Sequence, residues 1–152
     1  MRAIEDSGSS LFTGEDVFVQ YGNSRVVPPN CMAVAFVSRD EFDHLIREAS
    51  LVITHGGAGS IGKCLLAGKK PVLVPRRVAF GEVVNDHQLE LVRELESQGR
   101  IYAVYDIASF PDVVRSAREQ GGSQAPADRC SGVSAIVKVF LDRLSAGMDV
   151  KR

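Results

Sequence analysis

A chain of 152 residues, 45% hydrophobic and 24% charged, has the size and composition of one soluble globular domain, which excludes disordered and fibrous classes. Its net charge of −1 gives no global attraction for nucleic acid or an anionic membrane. The longest apolar runs, 32–37 and 71–75, have strand length and fall far short of the roughly 20 residues a spanning helix needs.

Residues 1–12 read as an amphipathic helix of the kind that ordinarily follows a first strand, yet no strand precedes them. The expectation is a sheet lacking its first strand, or a chain that begins downstream of the natural domain start. A sheet with that gap would expose an unpaired edge, which a second copy or a partner would fill. No apolar core follows Arg2, so no signal peptide is expected and the expected location is cytoplasmic.

Runs rich in β-branched and aromatic residues predict strands over 17–21, 32–37, 51–54, 72–74 and 101–104. Amphipathic stretches alternate with them, which is the pattern of βα units in an open, mostly parallel α/β sheet with helices on both faces. Phe42, Leu45, Ile46 and Ala49 share one helical face, and Ser38 with Glu41 three residues on forms an N-terminal capping signal for a helix over 39–49. Further helices are predicted over 60–66, 87–97 and 107–119. The domain is therefore placed at 1–120, a flexible connection at 121–129, and a tail helix at 130–152 that packs on the domain or on a partner. Three cysteines, Cys31, Cys64 and Cys130, have no paired spacing, so reduced thiols and no metal site are expected.

The run from Leu51 through Ser60 breaks from an apolar strand into His55-Gly56-Gly57-Ala58-Gly59-Ser60 where a helix begins. Amides of a first helical turn lack internal acceptors and carry the positive end of the helix dipole, and glycine admits a phosphate close to the backbone. A tight βα connection would also demand glycine with no ligand in view. His55, at the strand end, suits either a phosphate contact or a structural hydrogen bond.

A second polar segment, Arg76-Arg77 to Asn85-Asp86-His87-Gln88, follows the fourth strand. Loops leaving the carboxyl ends of parallel strands converge on one sheet edge, so both segments are expected at one mouth. Arg76 suits an anion; Asn85, His87 and Gln88 suit sugar hydroxyls. Asp86 equally suits a helix N-cap, and His87 equally suits a helix surface.

Together with Gly68-Lys69-Lys70-Pro71-Val72-Leu73-Val74-Pro75-Arg76, these motifs resemble the glycosyltransferase family 28 C-terminal domain, the donor half of GT-B enzymes. The likeness covers about residues 18–99 and is nearest to the soluble subunits of split UDP-sugar transferases, of the exopolysaccharide glucuronosyltransferase and dolichol-linked N-acetylglucosamine transferase types. It implies a diphosphate held at Gly57, Ala58, Gly59 and Ser60, and uracil recognised by the backbone at Phe36 and Val37. It also implies a donor sugar touched by Gln88, with Asn85 and His87 in support. No catalytic base is assigned; His55 and Arg76 are the candidates for a catalytic contribution, Arg76 by steadying negative charge on the leaving group.

The resemblance further implies a UDP-sugar donor with no separate cofactor, no nucleic-acid partner, and a membrane-anchored acceptor-half subunit that would recruit this chain to the membrane. Two departures stand against the pattern: Lys63 occupies the slot where relatives place a ribose-gripping Glu, and the first strand with its Gly-Thr loop is missing. A non-catalytic nucleotide- or phosphate-binding regulatory module is the other reading, and it would also accept adenine nucleotides.

Overall fold

Val19 and the residues flanking it begin the first of two parallel sheets in the computed structural model, which describes residues 11–24, 29, 31–55, 57–75 and 87–120. The chain divides into two units, Met1–Leu45 and Ile46–Arg152. Of the helix expected over 1–12, only Leu11 and Phe12 lie among the described residues, and they stand in a turn rather than a helix. The connection at 121–129, the tail at 130–152 and Cys130 lie outside the described residues.

In the first unit, β1 (Phe18–Gln20) pairs in parallel with β2 (Met32–Val34), with Phe18 opposite Met32 and Gln20 opposite Val34. Both strands are shorter than their apolar runs. Backbone pairing nevertheless continues past them: Tyr21 N–H donates to the Val34 carbonyl at 3.0 Å and Gly22 N–H to that of Ala35 at 2.9 Å. Gly22 then turns the chain at φ 57°, a left-handed conformation that glycine adopts without steric cost.

Helix α1 (Arg39–Glu48) begins where the sequence places its cap. The Ser38 hydroxyl accepts from the Glu41 amide at 3.2 Å, and Asp40 and Glu41 set negative charge against the positive end of the helix.

The second unit holds a three-stranded parallel sheet in the order β3 (Ile53–Thr54), β4 (Val72–Leu73), β5 (Tyr102–Ala103). Between them run α2 (Ala58–Leu66) and α3 (His87–Ser97). A 3-10 turn (Ile107–Ser109) leads into α4 (Phe110–Glu119) after the last strand.

Successive strand residues point to opposite faces. Leu73 joins a buried cluster with Ile61 and Leu65 of α2, Leu91, Val92 and Leu95 of α3, and Ile101. Helix α4 packs on β4 and β5 and buries Phe110, Val114 and Ala117. The fold is α/β with parallel strands and four helices among the described residues.

Helices α2 and α3 end in the same way. Gly68 N–H bonds the Leu65 carbonyl at 3.1 Å and Lys69 N–H that of Cys64 at 2.9 Å, while Gly99 and Arg100 do likewise to Glu96 and Leu95 at 2.8 and 2.9 Å. Both glycines are left-handed, at φ 71° and 67°, so each helix closes its last carbonyls on its own backbone.

Candidate functional site

The residues between β3 and α2 are set by how the strand ends. Val72 N–H and Val74 N–H donate to the carbonyls of Val52 and Thr54, both at 2.9 Å, which pins the carboxyl ends of β3 and β4 side by side. The chain therefore leaves β3 at His55 and β4 at Pro75 from one sheet edge, as parallel pairing requires. His55 is exposed at that edge. Gly56 lies outside the described residues.

Gly57 stands at the N-cap of α2 in an extended conformation, φ −62° and ψ 129°. No side chain caps the helix, and its first turn carries no acidic residue. Ile61 N–H reaches the Gly57 carbonyl at 3.0 Å, the first bond of the helical ladder. The amides of Ala58, Gly59 and Ser60 precede that bond, so helix geometry gives them no partner within the ladder. A Cβ built on Gly57 or on Gly59 would meet nothing within 4 Å, so the approach to this turn is open.

The inner face of the same helix is dry. Ile61, Cys64 and Leu65 are buried, and Cys64 is only 1% exposed. Burial pushes its thiol up to about 11, so Cys64 stays protonated and inert as a nucleophile at neutral pH. The helix is thus anchored through one face while its first turn remains accessible.

Tyr105 follows β5 and packs against the same core, its hydroxyl donating to Glu96 Oε2 at 2.7 Å. Burial, then the hydrogen bond and the charge of Glu96, push that hydroxyl up to about 12. At the opposite end of the sheet, Lys69 Nζ donates to the Ala49 carbonyl at 2.8 Å, and Lys70 Nζ sits 3.8 Å from the centre of the Tyr102 ring. Burial lowers the Lys70 pKa.

In the first unit, Phe36 is 66% exposed, and its ring lies 3.8 Å from where a Cβ on Gly22 would stand. The neighbouring Val37 N–H donates to Gln20 Oε1 at 3.2 Å. A ligand using that amide would have to displace the Gln20 side chain. Gln20 is a residue the sequence did not single out: it lies 17 positions from Val37, and only the parallel register of β1 on β2 brings it there.

Arg76 and Asn85 lie outside the described residues. His87 and Gln88 open α3, and only their backbone is described. Among the described residues no three His, Cys, Asp or Glu side chains gather as a metal site, and no helix is long and apolar enough to cross a membrane.

Two curated proteins resemble this chain. UDP-N-acetylglucosamine transferase subunit ALG13 of Homo sapiens is 28% identical over 138 residues, 87% of this chain and 11% of that protein. The Mus musculus protein of the same name is 32% identical over 89 residues, 55% of this chain and 7% of that protein. The chain therefore spans about a tenth of the length of these relatives. No solved structure matches it. The profile of the glycosyltransferase family 28 C-terminal domain matches residues 4–142, nearly the whole sequence, and the chain belongs to this family.

Proposed function

We propose that this chain is the donor-binding subunit of a UDP-sugar-dependent glycosyltransferase, acting with a separate membrane-associated acceptor subunit in exopolysaccharide or lipid-linked glycan synthesis. The observation that carries the reading is the start of α2: an open glycine turn with three first-turn amides, no side-chain cap and no acidic residue, in a chain of this family. The name of the human and mouse relatives, a transferase subunit that uses UDP-N-acetylglucosamine, supports both the nucleotide and the need for a partner.

On this reading the amides of Ala58, Gly59 and Ser60 hold the diphosphate. The acceptor oxygen attacks the anomeric carbon, the bond from that carbon to the diphosphate oxygen breaks, and its electron pair leaves on UDP. Negative charge grows on the diphosphate as the bond lengthens, and the amides and helix dipole, already oriented, stabilise it. Arg76 would add positive charge there, Asn85, His87 and Gln88 would meet the sugar, and His55 would support the phosphate. The acceptor's proton passes to a base on the partner, for no carboxylate of this chain is assigned that task. Phe36 and the Val37 backbone would read the uracil. The location that goes with this reading is the cytoplasm, with recruitment to the membrane by the partner.

Titration calorimetry with UDP, UDP-N-acetylglucosamine and UDP-glucuronate tests the proposal, with ADP as the control. Binding of uridine nucleotides in preference to ADP is the expected result. Equal binding of ADP would favour a general phosphate-binding module, and no binding of any nucleotide at millimolar concentration would overturn the donor site.

A further inference from the structure

From Leu51 to Gly81 the sequence contains five Lys and Arg residues and not one Asp or Glu, although the chain has 18 of the first kind and 19 of the second. This run contains β3, the glycine turn, α2 and β4. Its described cations divide by position. Lys69 and Lys70 lie at the amino-terminal end of β4, near the Ala49 carbonyl and the Tyr102 ring. Lys63 instead sits on α2 itself, three residues after Ser60 and four after Gly59.

Those spacings put Lys63 on the same helix face as Gly59 and Ser60. Ile61, Cys64 and Leu65 are buried on the inner face, whereas Gly59 is exposed and Ser60 and Lys63 are half-buried. Helical side chains lean toward the amino terminus, and about 1.5 Å of rise per residue separates neighbours. A four-carbon stem starting one turn away therefore spans the distance back to the first-turn amides. An ammonium is a donor only, with three N–H groups and no acceptor. It suits the anionic oxygens of a phosphate and cannot accept from a ribose hydroxyl.

We infer that Lys63 is a specificity-determining residue of the α2 site, directing its ammonium at the diphosphate so that this part of the site selects ligands by negative charge rather than by ribose hydroxyls. The inference rests on the donor-binding reading above and deepens it. Lys63 and the first-turn amides act on the same oxygens, the amides by fixed geometry and the ammonium by charge.

Titration of the full-length chain with UDP and with uridine, at low and at high salt, tests it. Lys63→Met keeps the stem and removes the charge; it is expected to weaken UDP about tenfold at low salt, the scale of one charge-assisted hydrogen bond. It should also flatten the salt dependence of UDP binding and leave uridine unchanged, while Lys63→Arg keeps UDP affinity near that of the parent. If the parent chain binds UDP and Lys63→Met binds it within twofold with the same salt dependence, Lys63 has no such role and the donor site stands. An equal loss for UDP and uridine would show a merely structural effect and overturn the inference. A parent chain that binds no UDP would overturn both.

Discussion

Helices α1 and α2 begin in opposite ways. At α1 the Ser38 hydroxyl takes the Glu41 amide and two carboxylates crowd the first turn, so the helix answers its own dipole. At α2 a glycine replaces the capping side chain and no acid follows, so the same orphan amides and positive potential are left facing outward. The far end of α2 shows that this is a local property. There Gly68 and Lys69 return bonds to Leu65 and Cys64 and leave the carbonyls satisfied. One helix end is finished within the chain, and the other leaves its first-turn amides outside the helical ladder.

Gly59→Asp should break the contrast most severely. A side chain at this position meets nothing within 4 Å, and an acid in the first turn favours the helix, so stability should rise by up to about 1 kcal/mol. UDP binding should fall about a hundredfold or more because the carboxylate occupies and repels at the phosphate position. Melting curves and calorimetry on the same preparation check both signs, and unchanged UDP affinity would mean the open end is not the site.

Alkaline pH probes the closed side of the helix. Cys64 is held protonated to about 11 in the folded chain, against 9.0 when unperturbed, so the unfolded state loses its proton first as pH rises. Stability is therefore fully present below pH 9 and declines through pH 11, by roughly 2 to 3 kcal/mol from this group. Denaturant midpoints measured across that window should show the decline, and Cys64→Ala should remove its share. A flat profile in the parent would mean that water reaches this face.

Gly68→Ala forces a side chain into a φ of 71° and should cost about 1 to 2 kcal/mol while leaving UDP affinity unchanged. Ser38→Ala should cost about 1 kcal/mol by removing the cap of α1, again with no change in UDP affinity. Loss of UDP binding in either variant would show that the two kinds of helix end are not independent.

Much of this arrangement was legible beforehand. The Ser38 to Glu41 signal marked the start of α1, and the limits of α3 fall at His87–Ser97 as its apolar spacing predicts. The strands are shorter than predicted because an apolar run persists where no neighbour pairs with it: the run over 32–37 pairs as a strand only over Met32–Val34. Helix α2 starts at Ala58, two residues before the predicted Ser60, with Gly57 as its extended N-cap and Gly59 already helical. The stretch predicted as one helix over 107–119 is a 3-10 turn followed by α4. Pro111 has no N–H for the Ile107 carbonyl; Phe110 takes that bond and tightens the turn.

Local chemistry is written in the residues themselves: an apolar period fixes which face of a helix is buried, and a glycine or serine at its start decides whether the end is capped. The sequence by itself therefore determined the α/β class, the order of strands and helices, and a glycine turn at the start of α2. Neighbours across a sheet are fixed by register, a property of two strands at once, so only the tertiary structure decided that Gln20 takes the Val37 amide and that His55 and Pro75 leave one edge together. The burial that holds the Cys64 thiol protonated was likewise decided there, because desolvation depends on what packs over a side chain rather than on its neighbours in sequence.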